Sequence, residues 1–237
     1  IYEADKTGKM FRDLLVKKAR EGVMVRVLTD GVGSYGTDDF MTPLLEVGGK
    51  HAEFLPVGTF SRRWHPNLRN HRKIAVIDGQ IAFTGGVNIG DEYTGRKRQV
   101  GHWRDTHLRI RGPAVHHLQE VFTEDWHFAT GVELPEDRWY PDPQVQGPQT
   151  VQVIASGPDT DTHPIRRVFF GAVTLAKEKV LLTTPYFVPD QPMLVALETA
   201  ALRGVDVKLL LPQHSDMRLV LHAGRSYYDQ LLKNGVK

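Results

Sequence analysis

Two stretches of the chain repeat one order of elements, and this limits its fold more than any other feature. "KMFRDLLVKKARE", apolar at helical spacing, runs through a glycine into "GVMVRVLTD"; much later "MLVALETAALR" runs into "GVDVKLLLP". Helix, glycine and buried strand in this order belong to a βαβ-type unit, used here twice. Further landmarks recur downstream, where "LLEVGGK" (Leu44 to Lys50) and "LLKNGVK" (Leu231 to Lys237) each close a second helix on glycine. The pattern predicts an α/β fold of two similar lobes, each a mixed β-sheet flanked by helices.

Between the copies lies "ELPEDRWYPDPQVQGPQT", from Glu133 to Thr150, rich in proline, glutamine and acid and without a sustained period. It reads as a surface linker, which sets the first lobe at residues 1–148 and the N-terminal part of the second at 149–237. The second copy is shorter at its end. His71 follows Lys50 by 21 residues, and the corresponding place in the second copy falls beyond Lys237. At the other end, the second copy opens with the buried strand "KVLLTTPYF", where the first shows only "IYEAD". The expectation is a fragment with an incomplete second lobe.

Composition narrows the chemistry. With 237 residues, 41% of them hydrophobic and 24% charged, the chain can bury a sizeable core, which excludes disorder as its default state. The absence of cysteine removes disulfides, thiolate nucleophiles and thiolate metal sites. A net charge of +2 disfavours nucleic acid as a partner. Positive charge is nevertheless concentrated locally in "SRRWHPNLRNHRK" and "GRKRQVGHWR". There Arg62, Arg63, Arg96, Lys97 and Arg98 would either draw anionic headgroups, at about 1 kcal/mol each near a charged surface, or form solvated loops. No apolar run reaches the roughly 18 residues of a membrane span.

The stretch "HRKIAVIDGQIAFTGGVN", His71 to Asn88, carries the chemistry. Read as a strand, "HRKIAVID" places His71 and Lys73 on one side. Asp78 and Gly79 then turn the chain, and "IAFTGG" returns beside it. Gly85 and Gly86 would let backbone N–H groups approach an anion, and Asn88 adds a neutral donor. These groups suit a phosphodiester: His71 is the candidate nucleophile, with Lys73 and Asn88 neutralising the equatorial oxygens. Such chemistry requires no metal or other cofactor. The alternative is an ordinary exposed hairpin with a glycine bulge. Asp105, in "WRDTHLRI", either bonds the far nitrogen of the imidazole or pairs with Arg104 or Arg96. Val115, Leu118, Val121, Phe122 and Trp126 form a core-facing helical stripe, with His116 and His117 at its solvated edge. "TPYFVPD", Thr184 to Asp190, either packs in the core or lines a pocket.

The spacing His71-x-Lys73, four residues to Asp78, six to the glycine pair and one more to Asn88 resembles the signature of the phospholipase D superfamily. "NLRNHRKIAVIDGQIAFTGGVNIGDEY", "HWRDTHLRIRGPAVHHLQEVFTEDWHFATG" and "TTPYFVPD" are similar to bacterial cardiolipin synthases of that type, and the resemblance covers essentially the whole chain. It implies a bilobal fold with one motif per lobe and two histidines, one as nucleophile and one as general acid and base. It implies metal-independent transfer of a phosphatidyl group from one phosphatidylglycerol to another at a membrane surface, with Asp105 as the best match for the family's downstream acid. It further implies a bacterial membrane location for the parent, with anchors before Ile1 and a soluble remainder. Of the 11 histidines only His71 has a lysine two residues later, so this chain holds half of such a site and, by itself, is expected to be inactive. The alternatives are a phosphodiesterase or nuclease of the same superfamily and a non-catalytic lobe that binds anionic lipid.

Overall fold

The structure is a computed structural model that describes residues 1–34, 36–56, 69–95, 103–134, 139–157, 162–215 and 217–237. The chain forms two compact units, Ile1–Asp159 and Thr160–Lys237. Val153, beyond the compositional linker, packs against a core of the first.

In the first unit α1 (Lys6–Arg20) leads to β1 (Arg26–Asp30), then α2 (Thr37–Leu45) leads to β2 (Lys50–Phe54), which pairs parallel to β1 with Arg26 opposite Lys50. Tyr2, Val16, Met41 and Leu44 fill the core beneath this pair. An antiparallel meander follows, made of β3 (Ile74–Ile77), β4 (Ile81–Gly85) and β5 (His107–Arg111). It is covered by α3 (Ala114–Thr130), whose Val115 and Leu118 meet Ala82, Ile74, Val76 and Ile110. Among the described residues the parallel pair and the meander are separate ladders.

The expected stripe of α3 is confirmed at Val115, Leu118, Val121 and Trp126, all buried, with Phe122 half-buried beside them. Gln119 and Asp125 are buried on this helix too. His117 is exposed and faces Glu120, whereas His116 is half-buried with its ring edge-on to Tyr140, 5.5 Å between centroids. The linker is tethered at its middle. The Arg26 guanidinium lies 4.6 Å from the Trp139 ring, and the Tyr140 hydroxyl is 3.2 Å from that of Thr123.

The second unit repeats the plan. It runs α4 (Pro164–Leu175), β6 (Lys179–Thr183), α5 (Gln191–Leu202), β7 (Asp206–Leu210), α6 (Arg218–Arg225) and α7 (Tyr228–Lys233), with β7 parallel to β6. Each copy caps its helix with an aspartate: Asp5 accepts from the N–H of Gly8 and Asp190 from that of Met193, both at 2.9 Å. Each buries an aromatic ahead of that cap, Tyr2 against Phe40 and Phe187 against Tyr227. Phe187 therefore takes the core role left open for "TPYFVPD", while Tyr186 stays exposed. Each helix passes into its strand through a left-handed glycine, Gly22 and Gly204, both at φ 91°. The register matches as well, since Lys50 donates its N–H to the Val25 carbonyl and Lys237 to that of Val207, both at 2.9 Å.

Gly48 at φ 86° and Gly235 at φ 87° end the second helix of each copy, and neither would gain a close contact from an added Cβ. The cost of Ala at either is therefore that of the backbone conformation alone, about 1–2 kcal/mol. Gly48→Ala and Gly235→Ala are expected to destabilise their own units by similar amounts in urea unfolding followed by hydrogen exchange. A loss at one position and none at the other would refute their equivalence.

Candidate active site

β3 begins at Ile74, so His71 and Lys73 precede the ladder instead of lying within it. The alternation read from the sequence holds for the strand itself: Ile74 and Val76 turn to the core, Ala75 and Ile77 to solvent. Ahead of it the chain is held by side-chain anchors. The Lys73 ammonium donates to the His71 carbonyl at 2.7 Å, which keeps the two residues together at the start of the hairpin. Asp78 sits at the other end, in the turn, with φ 54° followed by Gly79 at 63°. A strand of this length spans about 13 Å, so Asp78 shapes the turn at the far end of the hairpin from His71.

His71 is solvent-accessible, yet its pKa is lowered from the ordinary histidine value, first by burial and then by the Lys73 ammonium, with Asp30 opposing. Neutral imidazole is thereby favoured, the form that has a free lone pair. Lys73 is half-buried and its pKa is lowered by burial, while the carboxylates of Asp105 and Asp30 hold its charge in place. Among the described residues no hydrogen bond fixes the imidazole. Asp105 acts on Lys73 through its charge, and its carboxylate accepts from the Thr106 N–H at 2.6 Å and from the Trp103 indole at 3.3 Å.

The glycine pair makes room more than it donates. A Cβ on Gly85 would lie 2.4 Å from the Thr106 carbonyl oxygen, and one on Gly86 would lie 2.4 Å from Oδ1 of Asp105. The Gly86 N–H donates to the Thr106 carbonyl at 3.3 Å, so it continues the β4–β5 ladder and is not free for an anion as the sequence had indicated. Gly86 admits the Asp105 carboxylate to the site. Asn88 bonds the Tyr93 hydroxyl through Nδ2, and its Oδ1 is buried without a partner among the described residues. Turned over, the near-isosteric amide accepts from that hydroxyl and leaves Nδ2 as the unpartnered, buried donor. Tyr93, its pKa pushed up to about 12 by burial, packs edge-on against Trp103 at 5.0 Å and so links Asn88 to Asp105. This loop is anchored to α1, where the Asp91 carboxylate accepts from the Thr7 N–H at 2.9 Å.

Sequence reading missed Asp30 and Asp125. Asp30 Oδ1 accepts from the Gly33 N–H at 2.7 Å, and its Oδ2 accepts from that of Asn70 at 2.9 Å. Asp125 accepts from Asn70 and Arg72, the two neighbours of His71. Arg62, Arg63, Arg96, Lys97 and Arg98 lie outside the described residues. No described group of histidines and acids has the arrangement of a metal site, and no described helix is long and apolar enough to cross a membrane.

The chain spans about half the length of the curated relatives it matches. It is 46% identical over its whole length to a cardiolipin synthase of Alkalihalophilus pseudofirmus, covering 48% of that protein. It is 44% identical to one of Geobacillus kaustophilus, again over 100% of this chain and 48% of the relative. For cardiolipin synthase 2 of Bacillus cereus the identity is 42%, over 100% of this chain and 47% of the relative. Residues 2–126 and 171–237 match the model of the cardiolipin synthase, PLD-like domain family. With the histidine–lysine pair, the glycine-made space and the repeated α/β plan all in the matched residues, the chain belongs to that family.

Proposed function

We propose that this chain is the part of a cardiolipin synthase that forms the covalent phosphatidyl intermediate. The observation that carries the reading is the pairing at the head of the hairpin: a histidine biased to its neutral form, beside a lysine held between Asp30 and Asp105. A nitrogen of His71 attacks the phosphorus of one phosphatidylglycerol, and the bond from phosphorus to the headgroup glycerol oxygen breaks. Glycerol leaves with a proton from a general acid, which the family resemblance assigns to a second histidine outside these residues. The hydroxyl of a second phosphatidylglycerol then gives its proton to that same group, now a base, while its oxygen attacks the phosphorus and the bond to the His71 nitrogen breaks, which yields cardiolipin and returns the imidazole. Lys73 and the turned amide of Asn88 neutralise the phosphoryl oxygens as charge shifts between them. Asp105 keeps Lys73 charged and placed. The substrate places the enzyme at a membrane surface rich in anionic phospholipid.

In the full-length enzyme, His71→Asn is expected to abolish cardiolipin formation and labelling of the protein by phosphatidylglycerol carrying radioactive phosphorus. A labelled phosphoenzyme in that variant would refute the assignment. Lys73→Met and Asn88→Ala should lower kcat by on the order of 10²-fold with a smaller change in KM. Equal loss through KM alone would make them binding residues only.

The pH dependence follows from the direction of the histidine shift. Attack needs the neutral ring, and its pKa is lowered, so phosphoenzyme formation should be level above about pH 6.5. It should fall by about tenfold per pH unit once the pH drops below the lowered value. A fall beginning above pH 7 in burst kinetics would show that His71 is held protonated. This chain alone should bind inorganic phosphate, seen as shifts of the His71 ring resonances, without sustained turnover of phosphatidylglycerol. Sustained turnover would remove the need for a second histidine.

A further inference from the structure

His71 sits in a segment that no sheet holds, because β3 starts only at Ile74, opposite Thr84. The neighbours on either side of it are both tied to one buried side chain of α3. Asn70 donates from Nδ2 to Oδ2 of Asp125 at 2.8 Å, and the Arg72 guanidinium donates to Oδ1 of the same carboxylate. A cross-brace joins the two, as the Arg72 N–H donates to Oδ1 of Asn70 at 3.0 Å. From the other side, Asp30 at the end of β1 accepts from the Asn70 N–H at 2.9 Å.

Asp125 is 7% exposed and occupies the core-facing side of α3 between Val121 and Trp126. An apolar residue there would avoid the cost of burying a charge, which breaks even only when fully bonded. The carboxylate is bonded at both oxygens, and both donors flank His71. With Asn70 and Arg72 both bonded to Asp125, and the Arg72 N–H closed onto Asn70 Oδ1, the backbone on either side of His71 is fixed, and with it the point from which the exposed imidazole projects.

We propose that Asp125 is a positioning residue that sets the imidazole of His71 for attack by clamping Asn70 and Arg72, with Asp30 as the second anchor. The inference rests on His71 being the reacting histidine. Asp125 touches no reacting atom and acts only through the segment it holds.

The test uses Asp125→Asn and the exchanged pair Asn70→Asp with Asp125→Asn. In the single variant one amide N–H is forced toward the donors of Asn70 or Arg72. In the exchange the bond between positions 70 and 125 is restored with its polarity reversed, and an amide oxygen remains for Arg72. In the full-length enzyme, Asp125→Asn should lower kcat by on the order of 10²-fold, as for a reacting group misplaced by about 1 Å, with KM changed by less than about threefold. The exchange should recover most of that loss.

In this chain the His71 ring titration, followed by NMR, should move back toward the ordinary value in Asp125→Asn and return in the exchange. The other charges acting on His71 are Lys73, Asp30 and the α-amino group of Ile1, which the substitutions leave in place; the exchange brings a carboxylate to position 70, which by charge alone would raise the ring's pKa, so a return to the lowered value reports position and not charge. Unchanged kcat together with an unchanged titration in folded Asp125→Asn would overturn the proposal. A lowered melting temperature with normal kcat below the melt would do the same. If Asp125→Asn does not fold, Arg72→Lys, which keeps the charge but loses the fork, is read by the same two measurements. His71→Asn run alongside separates the failures: turnover in that variant sinks the assignment of His71, whereas the titration, which needs no turnover, still decides what Asp125 holds.

Discussion

The carboxylate of Asp125, buried on the inner face of α3, joins the helix to the residues on both sides of His71. Backbone pairing alone would leave that segment loose, since the antiparallel ladder begins after it. A chain end entering a sheet is ordinarily fixed by the first cross-strand bonds, and a residue ahead of them is free to move. Here two buried carboxylates, Asp125 and Asp30, take over that function from the sheet. Their burial is costly unless every oxygen is bonded, so the geometry is narrow by necessity. The rest of the site follows from where they hold the chain.

The electrostatics of the site form one connected set. Burial favours the neutral form of both His71 and Lys73, and the carboxylates of Asp105 and Asp30 act on Lys73 in the opposite sense. The pair is thus divided into a neutral base and a cation, the division that attack on an anionic phosphodiester calls for. Asp105 can approach only because Gly86 has no side chain. Its other contacts run through Trp103 and Tyr93 to Asn88, so aromatic packing ties a donor on one side of the site to an acid on the other.

The two units show how much of this architecture is general and how much is local. Aspartate caps, the buried aromatic before each cap, left-handed glycines and strand register recur in both. These features build a parallel α/β pair and carry no chemistry of their own. The meander with His71 stands only in the first unit among the described residues. The buried polar side chains of the described residues belong to that same unit, Asp30 at the end of β1 and Asp125 on α3 among them, as expected where a fold accepts the cost of polar burial for a site.

The amino-acid sequence by itself determined the elements and the candidate site. Helical spacing, glycine stops and apolar runs are local patterns, and they marked the repeated helix-to-strand units, the α3 stripe and the turn at Asp78 and Gly79. The order of histidine, lysine and asparagine picked out the candidate site because their types are few and their spacing short. The tertiary structure decided what holds them. Asp30 meets Asn70 across 40 positions, and Asp125 meets Asn70 and Arg72 across 55 and 53. A buried carboxylate has no periodicity to betray it, and in sequence Asp125 is one more acid beside Glu124. Only the fold, by withdrawing water from it and bringing two donors to it, gives that residue its purpose. The same reason explains the glycine pair, which reads locally as an anion cradle. In the folded chain Gly85 leaves room for the Thr106 carbonyl and Gly86 for the Asp105 carboxylate, and the Gly86 N–H is already bonded to that carbonyl.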